Sequence, residues 1–167
     1  MEPIVNRVAK SPIETLDLAS LWDGREIVEI DIAEFLDRGF ILREKQFRVD
    51  VRAHDWSKAS DAHVGLVCST DAIVPTWAYM FLGSILRETA YSVTVGNSDD
   101  VRNHYFLVKL NELDWSAYAD KPIVVKGCAN TIVPENAYAL ATEKLEQVAK
   151  KVMYGEPCST VPIWRRK

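Results

Sequence analysis

The chain has 167 residues, 48% of them hydrophobic and 26% charged, with a formal net charge of −4 at pH 7. That is enough for one good core in an ordinary globular fold. The acidic balance, with a pI near 5.4, argues against nucleic acid as a partner, since binding it needs a strongly basic face.

The short basic end Arg165-Arg166-Lys167 reads as a solubilising terminus. No segment is apolar and long enough for a signal h-region or a bilayer span, so no membrane partner is expected and the expected location is cytoplasmic. Three cysteines, an odd number and far apart, do not form a secreted disulfide framework.

At the start, Ile4, Val5 and Val8 are expected in a short strand, broken at Ser11-Pro12, that extends the sheet at an edge. Leu16, Leu18, Leu21 and Trp22 must cover something, and Asp23-Gly24 signals a turn. Residues 25–32 alternate apolar and polar in a β-branched run, which predicts a strand. A short helix follows over 33–37, stopped at Gly39.

Residues 44–55 read as a helix and 63–68 as a buried strand. Pro75 opens a helix running to about Thr89, where its missing N–H is not needed, and 92–96 is a second short strand. The same order then returns: a helix over 99–113, a strand over 123–126, a helix from Pro134 and a strand over 151–154. The two proline-led helices differ. Glu135, Asn136, Glu143 and Glu146 give the later one a polar side, whereas Trp77, Tyr79, Met80, Phe81, Leu82 and Ile85 make the earlier one apolar nearly all round. Such a helix is buried on two sides. Cover from the N-terminal segment or a second subunit is expected, with residues 76–86 at or near a homodimer interface.

The repetition is in the letters as well. Ile73-Val74-Pro75 and Ala78-Tyr79 recur as Ile132-Val133-Pro134 and Ala137-Tyr138, an offset of 59. Asp55-Trp56-Ser57 falls on Asp114-Trp115-Ser116, Phe47 on Phe106, and Gly96 on Gly155. An internal repeat of this length is architecture. The predicted fold is α/β: a single domain, 1–167, of two pseudo-symmetric α-β-α-β repeats around one mainly parallel sheet, related by a pseudo-two-fold. Residues 44–96 and 103–155 are the repeats, 1–43 an N-terminal extension and 156–167 a C-terminal tail.

In a parallel sheet, sites form at the carboxyl ends of strands near helix N-termini. Cys68 and Cys128 occupy such places, and Cys158 follows the last predicted strand. Three thiols on one rim would make a metal site, with His54 as a fourth ligand or a base. The bland alternatives are core-filling cysteines and a helix-end histidine. Asp71 reads as a helix cap, Asp55-Trp56 and Asp114-Trp115 as structural pairs, and His63 and His104 as surface residues. No CxxC, GxGxxG, GxxxxGK[ST] or HExxH occurs.

Residues 68–80, together with Met153-Tyr154-Gly155-Glu156-Pro157-Cys158-Ser159-Thr160 and the runs after it, resemble a bacterial family of unknown function, DUF2480. Ile4-Val5-Asn6-Arg7-Val8, His54-Asp55-Trp56 and Lys126-Gly127-Cys128 carry the same resemblance, which spans nearly the whole chain. It implies a family found chiefly in Bacteroidetes and associated with genes for iron–sulfur assembly, whose products are then possible partners. It carries over no catalytic residue. Two readings follow. One is an accessory protein binding zinc, iron or an iron–sulfur intermediate through Cys68, Cys128 and Cys158, with His54. The other is a non-catalytic oligomeric scaffold working through its apolar helix, with a thiol enzyme using Cys68 as the third possibility.

Overall fold

In Ile27–Asp31 the apolar Val28 and Ile30 alternate with Glu29 and Asp31, the period of a strand with one face on a core. The computed structural model describes residues 13–126, 131–156 and 158–167, and this stretch is its β2, preceded by β1, Glu14–Asp17. Each of these strands runs into a single 3-10 turn, Leu18–Leu21 and Ile32–Phe35. The caps match. Asp17 accepts from the Ala19 N–H and Asp31 from the Ala33 N–H, both at 3.0 Å.

The remaining elements are α1 (Glu44–Ala53), β3 (His63–Val67), α2 (Thr76–Leu86), β4 (Ser92–Val95), α3 (Ser98–Glu112), β5 (Pro122–Lys126), α4 (Glu135–Val148), β6 (Lys151–Glu156) and β7 (Ser159–Arg165). The chain forms two compact units, one of Gly24–His104 and one of Tyr105–Lys167 with the chain up to Asp23. The expected mixed α/β class holds. The single sheet does not: one unit has the all-parallel order β2-β3-β4, the other the order β1-β5-β6-β7, parallel except for β6 and β7. Residues 64–67 and 123–126 therefore lie in different sheets.

The reason is that each unit closes a core by itself. Phe47, Val51, Val64, Leu66, Leu82 and Leu86 are buried in one; Phe106, Leu110, Ile123, Val125, Leu145 and Val152 in the other. Each such side chain contributes about 1.5–3 kcal/mol by leaving water. With a leading strand of its own, neither sheet needs one from its neighbour.

The 59-residue echo is also an echo of hydrogen bonds. The Trp56 indole N–H donates to the Val51 carbonyl at 3.0 Å, and that of Trp115 to the Leu110 carbonyl at 2.9 Å. Asp55 and Asp114 each accept from the N–H two residues on. Asp61 and Asp120, with φ of 53° and 55°, donate their N–H groups to Thr89 and Val148. Pro75 and Pro134 both stand at the N-cap of a helix.

Trp77 and Phe81 stay half-buried, with the Phe47 ring 5.7 and 6.3 Å from theirs and the Arg48 guanidinium over both. Two expectations need correction. The expected tail holds β7, an outer strand, where Pro162 lacks a ladder donor at no cost beside a register shift. Arg166, taken for part of a solubilising end, donates to the Asp120 carboxylate at 2.6 Å and the Val148 carbonyl at 2.7 Å. An N-terminal strand does lie at a sheet edge, but it is β1; Ile4, Val5 and Val8 fall outside the described residues. No described helix is long and apolar enough to cross a membrane.

Candidate functional site

Cys68 follows β3 at its carboxyl end, as the pattern required. It is a free, half-buried thiol: one flank packs on the core of its unit while Sγ reaches the Thr70 carbonyl at 3.4 Å and hydroxyl at 3.6 Å. The Thr70 hydroxyl donates to the Gly39 carbonyl at 2.6 Å, and the Ser69 N–H to Asp31 at 3.0 Å. Loops leaving β2 and β3 are thereby tied together. Cys158 is an exposed free thiol between β6 and β7, in the other unit. Cys128 lies in 127–130, outside the described residues. Among the described residues no three His, Cys, Asp or Glu side chains group so as to hold a metal.

His54 ends α1 as its C-cap and is exposed. Its ring lies 4.4 Å from that of Trp56 and 5.2 Å from that of Phe35. Asp71 caps nothing: α2 starts after Pro75 with no side-chain cap, and the loop instead leans on Asp31. His63, expected at the surface, is 1% exposed, with Nδ1 2.7 Å from the Ser92 hydroxyl and the Tyr91 ring edge-on at 5.1 Å. Its repeat counterpart, Pro122, gave no hint of that pocket. His104 is exposed, as read.

A cleft the pattern did not reveal lies where β2, its 3-10 turn and the end of α1 converge. It measures about 350 Å³, within the range of ligand pockets. Phe35, His54 and Trp56 form its aromatic side, with the Phe35 and Trp56 centroids 5.7 Å apart. Glu29, Asp31, Glu34 and Asp55 line it, with Lys58 as the one lysine. A second hollow of about 270 Å³ shares Glu34 and Phe35 and adds Asp37, Arg43, Gln46 and Asp50.

Several of these carboxylates are held below their ordinary range. The Ser98 hydroxyl, then its N–H, does this for Glu29, both donating to Oε1 at 2.6 Å. For Asp31 burial is the largest influence and pushes upward, but hydrogen bonds from Ser69 and Ala33 outweigh it. Asp55 is lowered by the Ser57 N–H and hydroxyl. Ionised near neutral pH, these groups act as fixed negative charges and not as proton donors. Carboxylates and aromatic rings lining one cleft suit a cationic group.

No curated protein and no solved structure matches this chain. One family model does, over residues 2–166, and the protein therefore belongs to DUF2480, a family described only as proteins of unknown function.

Proposed function

We propose that this protein is a non-catalytic interaction module, a homodimer, built on the Gly24–His104 unit. One observation carries the reading. The loops leaving β2 and β3, joined by the Thr70 bond to Gly39, hold out Phe40 at 58%, Ile41 at 52% and Ile73 at 90% exposure, and Met80 stands out at 72% on α2. Apolar side chains held out by two joined loops suit a docking surface. Sedimentation equilibrium tests it: wild type should be a dimer, and Ile73→Asp with Phe40→Asp a folded monomer. A wild type that is monomeric at every concentration would end the proposal.

A second reading, the metal or iron–sulfur accessory protein, is favoured by the state of the two described thiols. Cys158 is exposed and Cys68 directs Sγ at polar partners, so neither is a mere core filler. Soft thiolates suit zinc or iron, and Cys128 and His54 are the further donors that the sequence offers. Elemental analysis after anaerobic purification, with zinc and ferrous titrations of Cys68→Ser, Cys128→Ser and Cys158→Ser, decides it. A loss of binding in all three supports the site. Equal weak binding by wild type and all three sinks it.

A further inference from the structure

We infer that the two hollows meeting at Phe35 form one docking groove for a basic peptide segment of another protein, bearing two or more arginine or lysine side chains. This goes beyond the dimer reading, with a different partner on a different surface, so the two tests fail separately.

Charge is the first ground. Among the described residues, Glu29, Asp31, Glu34, Asp37, Asp50 and Asp55 line the two hollows against Arg43 and Lys58. Six against two leaves four negative charges, as many as the formal excess of the whole chain, 24 acidic over 20 basic residues. The formal charges of the remaining residues therefore sum to zero. Arg43 is already paired with Asp37 at 2.7 Å, whereas Glu34, exposed and shared by both hollows, makes no ion pair among the described residues.

Shape and ring chemistry supply the second ground. The hollows, about 350 and 270 Å³, share Glu34 and Phe35 in their walls, so an occupant of both must be longer than one ammonium group. His54, exposed, and Trp56, half-buried, line the larger one together with its carboxylates, and their rings pack on the buried Phe35. Guanidinium stacks on such rings while donating to carboxylate, so arginine fits better than lysine. The carboxylates are held apart by their own N–H and hydroxyl donors, an arrangement that offers dispersed charge to a chain and not a cage to a metal ion. Complementary charge of this kind mainly raises the association rate and steers the partner.

Calorimetric titration of the full chain with a hexa-arginine peptide, spermidine and hexaglutamate tests the assignment. The arginine peptide should bind, weaken about tenfold or more from low to physiological salt, and outcompete spermidine. Glu34→Lys in one hollow and Asp50→Lys in the other should each weaken it about tenfold, with unchanged circular dichroism. Glu143→Lys, an equal charge change on α4, should shift it less than about twofold. The inference is overturned by absent binding, by equal losses from Glu143→Lys and Glu34→Lys, or by indifference to Asp50→Lys. Spermidine binding as tightly as the peptide would also overturn it, in favour of a small polyamine.

Discussion

Two glycine-to-alanine substitutions in the Gly24–His104 unit should move stability in opposite directions. At Gly65 in β3, an added Cβ would lie 2.6 Å from the Gly96 carbonyl oxygen and 3.2 Å from Val101 Cγ2. The nearer atom is backbone, so β3 or the loop beyond β4 must shift. Overpacking of that sort costs about 1–3 kcal/mol. Restricting the unfolded chain returns about 0.5–1 kcal/mol, leaving Gly65→Ala less stable by about 1 kcal/mol at the middle of these ranges. At Gly83, inside α2, the same methyl meets nothing within 4 Å. There the helix gains what the clash does not remove, and Gly83→Ala should be more stable by about 0.5–1 kcal/mol. With a urea slope of about 1–3 kcal/mol per molar, the two midpoints should straddle wild type and differ by about 1 M. A Gly65→Ala midpoint at or above wild type would refute the close-approach argument. One for Gly83→Ala below wild type would refute the open-space argument.

Phe47 and Phe106 are both fully buried, each in its own core, so Phe47→Ala and Phe106→Ala should each cost about 3–5 kcal/mol in urea melts. If only one costs that much, the two cores are not packed alike. Acid should destabilise the fold through Glu29 and Asp31. Both carboxyls are lowered in the folded state, so their contribution is fully present above the ordinary values of 4.5 and 3.8. It fades as pH falls from there through the lower folded values. Glu29→Gln should flatten that stretch of the stability–pH curve; an unchanged slope would mean that the Ser98 bonds do not hold Glu29 ionised.

Local pattern was legible because it reports one face of one element. Alternation gave β2, and the proline-led starts gave α2 and α4, since a strand or helix shows its period in its own letters. Partner choice is not written that way. Val64 and Ile123 look alike in sequence, and nothing in either says that each belongs to a separate sheet. The strand β1 escaped notice because its counterpart lies at a different spacing: Leu16-Asp17-Leu18-Ala19 answers Ile30-Asp31-Ile32-Ala33, 14 residues apart instead of 59. The acidic groove stayed hidden because its walls come from β2, the turn after it and both ends of α1, each unremarkable alone. Two of the three thiols were read correctly as leaving strands at their carboxyl ends, and only side-chain geometry could add that Cys68 bonds Thr70.

Strand β1 is made long before anything it pairs with. Lys121, which bridges Glu14 across the β1–β5 pair at 2.7 Å, lies 107 residues further along the chain. At about 5–20 residues per second a ribosome needs about 5–20 s to deliver it. Folding of small domains is far faster, so the contiguous unit from Gly24 to His104 has time to complete itself first. Throughout that interval Leu16 and Leu18, both destined for a core, wait without their partner strand. A circular permutant opened between Asp23 and Gly24 makes residues 13–23 after β5 instead of before it, and should aggregate less during synthesis.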